Sequence, residues 1–149
     1  MNIRSLTHKT VFSQAGFAAL VLRVPVGVIL AAHGAQKLFG WFGGNGLGGT
    51  AQWMASIGFE PGLLMALLAG GAEFFGGLAL IVGLLVRPAA ALAAFTMLVA
   101  MTQHIDNGLF LSNNGYEFAL ALLAATAALM LQGAGRVSFD GLIEKRLGA

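Results

Sequence analysis

The chain has no cysteine in its 149 residues. That excludes disulfides, thiolate nucleophiles and cysteine-ligated zinc or iron–sulfur sites, so any thiol or sulfur redox step it joins must draw its sulfur from a partner. Charge is scarce too: 9% of residues are Asp, Glu, Lys or Arg, against roughly a quarter in a soluble domain. A formal charge of +2, scattered along the chain, excludes nucleic acid as an expected partner. With only three prolines, long stretches are free to run as helix.

What fills the sequence is apolar: 58% of residues are hydrophobic and the mean hydropathy is +0.83. The length suits one domain over 1–149, with no room for a separate soluble catalytic module. A transmembrane helix needs about 20 largely apolar residues, and four runs approach this, at 17–39, 62–86, 88–103 and 116–131. The expected fold is all-α, an integral membrane four-helix bundle whose only expected surroundings are the lipid bilayer and other membrane proteins. The third and fourth runs are short, so they are expected to end in the interface or to thin the bilayer. Pro61 and Pro88 mark helix starts and Gly133 and Gly135 a helix end, while Pro25 falls inside the first run and predicts a bend.

Arg4 and Lys9 before an apolar run have the look of a secretory signal. The run passes through His33 and Lys37 into further apolar sequence, so it is expected to remain as the first span. Arg4, Lys9, Arg87, Arg136, Lys145 and Arg146 all fall on one side of the four runs, and the positive-inside rule then places both the N-terminus and the C-terminus in the cytoplasm. The opposite loops hold Glu60, Asp106, Asn107, Asn113 and Asn114, with Lys37 as the basic residue near that face.

Between the first two runs, glycine-rich residues 43–49 precede 50–57, which read as a short capped interfacial helix. Trp41, Phe42, Trp53 and Phe59 suit an aromatic belt at the membrane surface; the segment reads as an interfacial loop or as a lid over a ligand site. Small residues recur at intervals of four and seven, as in Ala72 and Gly76, Gly70 and Gly77, Gly76 and Gly83, and Ala121 and Ala125. That spacing allows close helix contact in lipid, within the chain first of all, though it would equally serve a homo-oligomer.

An ionisable group in the hydrocarbon costs a few kcal/mol, about 3 on insertion scales, and so suggests function. Glu73 sits near the middle of the second run and must face the protein interior, either paired with a cation or protonated. His33 and Lys37 lie four residues apart on one face of the first helix. Counted inward from the helix ends, Glu73 lies ~10 Å deeper than His33 at 1.5 Å per residue. Arg23 approaches from the other side, to pair with Glu73 or to extend to the headgroups. His104, Asp106, Asn107 and Glu117 stand at the outer ends of the last two helices, so His33, Lys37, Glu73, His104 and Glu117 are candidates for one polar pocket. The alternatives are solvated loop residues for His104 and Asp106, and helix-dipole stabilisation for Glu117. Neither a haem attachment motif nor the Glu-x-x-His spacing of di-metal bundles is present, so no metal site is expected.

As an ordered set these residues resemble the DoxX family of small bacterial inner-membrane proteins. The matching pieces are Arg23 with Val24, Pro25, Val26 and Gly27; His33-Gly34-Ala35-Gln36-Lys37-Leu38-Phe39-Gly40; and Glu73-Phe74-Phe75-Gly76-Gly77. Further along come Asn107-Gly108-Leu109-Phe110, Gly115-Tyr116-Glu117 and Gly135-Arg136-Val137-Ser138-Phe139-Asp140. The resemblance spans roughly residues 17–140 and implies a four-helix bundle in the bacterial inner membrane. Family relatives include a membrane subunit of a thiosulfate–quinone oxidoreductase, a mycobacterial member that assembles with redox enzymes, and distant membrane chaperones. A redox accessory role follows from that resemblance, with a quinone as the expected ligand and a redox enzyme as the expected partner. In this reading Glu73 and His33 bind the ligand or exchange protons with it, and Lys37 holds an anionic form; apolar walls with few polar groups suit such a ligand. A non-catalytic assembly or chaperone subunit is the rival reading, and transport of a small solute or proton a third.

Overall fold

The computed structural model describes residues 16–148, all helix, turn or irregular backbone without a strand among the described residues. Arg4 and Lys9, two of the cations that set the expected orientation, lie outside them. The helices are α1 Phe17–Phe39, α2 Gly46–Ser56, α3 Gly62–Val82, α4 Val86–His104, α5 Glu117–Gln132 and α6 Phe139–Gly148. Three of them are long and apolar enough to cross a membrane: α1, α3, and α4 with the turn that carries it to Asn107. α5 is apolar but has only 16 residues.

Two boundaries move from their expected places. α3 stops at Val82 because Gly83 turns left-handed, with φ +76°, and the amides of Gly83 and Leu84 both close on the Ala79 carbonyl. A left-handed residue there ends a helix and satisfies its last carbonyls. α4 then begins at Val86, ahead of Pro88, and runs to His104, so it is longer than its sequence run. Pro88 falls in the first turn, where a missing N–H forfeits no helical bond. The short helix expected at 50–57 starts earlier, at Gly46. Thr50 lies inside it, and its hydroxyl donates to the Lys37 carbonyl at 3.2 Å.

α1 and α3 run antiparallel in close contact, as small residues permit in lipid. A Cβ built on Gly77 would stand 2.5 Å from the Ala31 nitrogen, and one on Gly27 would stand 2.7 Å from the Gly77 carbonyl oxygen. One on Gly34 would overlap the backbone of Phe74, and one on Gly70 would press on Leu38. Leu30, Leu80, Val86, Ala90, Ala93 and Leu129 fill the fully buried core beside this seam. Leu68, Phe75, Leu92, Phe95 and Leu131 face outward and exposed; such a surface aggregates in water but matches acyl chains.

Arg23 does not pair with Glu73; its guanidinium is held inside the protein on main-chain carbonyls. It is 2% exposed and donates to the carbonyls of Leu80 (2.7 Å), Ile81, Ala134 (3.2 Å) and Val137. The carbonyls of the last helical turn lack intrahelical partners, and the five-donor guanidinium fork satisfies two of them in α3 along with two in the segment after α5. Asp140, fully buried, completes the latch. Its carboxylate accepts from the Leu85 and Val86 amides at 2.8 and 2.9 Å, and its own amide donates to the Gly83 carbonyl. The latch ties α6 to the turn between α3 and α4.

Candidate functional site

Glu73 is the twelfth residue of the 21 in α3 and is 2% exposed. Its Oε2 receives a hydrogen bond from Lys37 Nζ of α1 at 2.5 Å, in an ion pair whose lysine side chain stays one-quarter exposed. The glycine seam explains the meeting. Because Gly34 lies against Phe74 and Gly70 against Leu38, Glu73 falls at the level between His33 and Lys37.

The expected ~10 Å difference in depth, at 1.5 Å per residue, is therefore corrected. Its error was to align the outer ends of α1 and α3. α3 starts well beyond the end of α1, and its first turns pack on α2 instead, with a Cβ on Gly62 overlapping the Ala51 carbonyl. Glu60 Oε2 accepts from the Gly62 amide at 3.1 Å and steadies that projecting start. α2 in turn holds the end of α1 through Thr50, directly on the carbonyl of Lys37.

His33, half-buried and one turn from Lys37, lies within electrostatic reach of both Lys37 and Glu73. Its ring stands 5.8 Å from that of Phe118 on α5, tilted by 47°. Phe74, next to Glu73 in the chain, meets Phe39 of α1 edge-on at 5.1 Å, and Phe39 also meets Trp41 at 5.1 Å. Among the described residues the ion pair uses one oxygen of Glu73 and one ammonium hydrogen of Lys37, and His33 forms no hydrogen bond. One carboxylate oxygen, two ammonium hydrogens and two ring nitrogens thus remain to engage a further group.

The other candidates go elsewhere. His104 Nδ1 stands 3.0 Å from the Asn114 carbonyl, which also accepts from the Asn107 side chain at 3.1 Å. Glu117 Oε1 accepts from the Leu111 amide at 2.6 Å. Both therefore order the loop between α4 and α5, and Glu117 touches the site only through its neighbour Phe118. Arg23 belongs to the latch at the opposite end of α1. No three His, Asp or Glu side chains gather as metal ligands among the described residues. The sequence reading passed over Asp140 and Thr50 as polar partners. Thr50 carried a visible signal as the expected cap of a helix, but its acceptor on α1 did not.

The model of the DoxX family matches residues 18–105. "Inner membrane protein YqjF" of Escherichia coli (strain K12) is 34% identical over 81% of this chain and 95% of its own. "Putative oxidoreductase CatD" of Bacillus subtilis (strain 168) is 31% identical over 85% of this chain and 87% of its own. No solved structure matches significantly.

Proposed function

The chain belongs to the DoxX family, and from that premise we propose that it is a redox-associated membrane protein that binds a quinone-like ligand at Lys37, Glu73 and His33. The observation that carries the reading is unspent bonding capacity beside a mid-helix carboxylate. A purely structural ion pair in lipid gains most when every polar atom is satisfied, whereas this one leaves donors and acceptors beside a half-buried histidine. A quinone carbonyl would accept from Lys37, and a hydroquinone hydroxyl would donate to Glu73 or His33. Phe39, Phe74 and Phe118 supply apolar walls of the kind such rings occupy. Two-electron reduction of a quinone takes up two protons; the electrons would come from a partner redox enzyme, and His33 and Glu73 would pass the protons. The relative named as an oxidoreductase supports this direction. His104 and Glu117 then serve the site indirectly, by ordering the loop that precedes Phe118.

In the same reading 1–149 is one domain, and α1, α3, α4 and α5 form a four-span bundle in the bacterial inner membrane with both termini in the cytoplasm. Arg87, Arg136, Lys145 and Arg146 at one end and the relative named as an inner-membrane protein support this. At 1.5 Å per residue α5 spans about 24 Å, so it requires a bilayer thinned locally from the usual hydrocarbon thickness of about 30 Å.

Quenching of Trp41 and Trp53 fluorescence by a short-chain benzoquinone, titrated into the purified protein, is expected to saturate. Glu73→Gln, Lys37→Met and His33→Ala should each weaken binding by about tenfold, the worth of a hydrogen bond to a charged or strongly polar group. Unchanged binding in all three variants would remove the proposal and leave an assembly or chaperone role for the polar cluster.

A further inference from the structure

The end of the molecule away from Glu73 presents a face of a different kind. α6 is fixed on its inner side, where Asp140 and Gly141 are buried and Ser138 Oγ accepts from the Gly141 amide at 3.0 Å. At 3.6 residues per turn, Phe139, Leu142 and Arg146 share the opposite side of the helix, with Lys145 at its margin. All four are exposed, as are Arg136 and Val137 just before the helix. The face therefore mixes large apolar side chains with three cations, Arg136, Lys145 and Arg146. Of the two nearby carboxylates, Asp140 is turned inward onto backbone amides, which leaves Glu144 alone to offset them.

Position says what meets this face. α6 is latched to the Gly83–Leu85 turn, which joins the two candidate spans α3 and α4; in the proposed four-span topology this is where they leave the apolar layer. Phe139 and Leu142 consequently lie at the depth where acyl chains give way to headgroups, and the arginine and lysine stems can carry their charges outward to the phosphates. We infer that α6 lies in the plane of the membrane surface and binds anionic phospholipid headgroups through Arg136, Lys145 and Arg146, with Val137, Phe139 and Leu142 inserted among the upper acyl carbons. A short helix with one apolar and basic face has the chemistry of an interfacial anchor, and the excess of cations selects anionic over zwitterionic lipid.

The test uses the full chain in nanodiscs of mixed phosphatidylglycerol and phosphatidylcholine, with the lipids retained on release counted by native mass spectrometry. Wild type is expected to retain phosphatidylglycerol preferentially and to lose that preference as salt is raised. Arg136→Gln, Lys145→Gln and Arg146→Gln together should reduce the preference by about fivefold per cation removed, while Arg136→Lys with Arg146→Lys should restore it. Phe139→Ser with Leu142→Ser should lower retention of both lipids. Equal retention of the two lipids by wild type, or an undiminished preference in the triple glutamine variant, would overturn the inference. The quinone site lies at the other end of the bundle, so its titration is expected to be the same in all these variants.

Discussion

Arg23→Ala is expected to destabilise the protein by about 3–5 kcal/mol, the range found when one member of a buried charged network is removed. The substitution strips four carbonyl groups of their shared donor. Each buried polar group left unsatisfied costs about 1–3 kcal/mol, although water entering the vacated space would recover part of that. Arg23→Lys keeps the charge but supplies a single compact ammonium in place of a planar fork, so it should recover less than half of the loss. The effect couples to Asp140, whose carboxylate holds the left-handed Leu85 (φ +50°) at the start of α4. Thermal unfolding in detergent, followed by circular dichroism, should show Arg23→Ala and Asp140→Asn to be non-additive, as expected for groups in one network. A melting curve for Arg23→Ala that overlays wild type would mean that the latch contributes nothing.

Gly34→Leu should be the most damaging single change on the α1–α3 seam. Even the first carbon of the new side chain would overlap the backbone of Phe74, and backbone cannot rotate aside as a side chain can. Overpacking of cores typically costs about 1–3 kcal/mol, and the absence of any flexible neighbour puts this site at or above the upper figure. The helices would have to separate, which carries Lys37 away from Glu73 and leaves a carboxylate stranded in lipid. Destabilisation is therefore expected together with loss of quinone binding. Gly71→Leu in α3, where a Cβ meets nothing within 4 Å, should spare both. Equal behaviour of the two variants would show that close approach of α1 and α3 does not position the site.

Much of this architecture is legible in the sequence because lipid imposes simple rules. Long apolar runs had to be helices, and Glu73 had to seek a partner inside the protein. Lys37 and His33 were identifiable as its neighbours from a spacing of four residues. What the sequence concealed was non-local. Glu73 looked too deep for His33 because nothing in either helix announces that the first turns of α3 overhang the end of α1 and rest on α2. Arg23 was misassigned for a related reason: its acceptors are main-chain carbonyls up to 114 residues away, and a backbone carbonyl has no sequence signature. Asp140 stood out only as the last residue of the family-like segment from Gly135, with no partner assigned, yet it satisfies the first amides of a helix that begins more than fifty residues earlier. His104 and Glu117 were candidates for the same pocket, but their hydrogen bonds are made within the loop between α4 and α5, and such loop geometry leaves no spacing signal.

On the proposed function, Glu73 and Lys37 meet in order to hold a lipid-soluble redox ligand rather than only each other. The most direct measurement is the quinone content per chain after purification in native lipid, determined by chromatography of the extracted lipids, for wild type and for the Glu73→Gln, Lys37→Met double variant. Quinone is expected to be enriched over the bulk lipid in wild type and to fall to the bulk level in the variant. The same quinone content in both proteins, at equal folded yield, would contradict it.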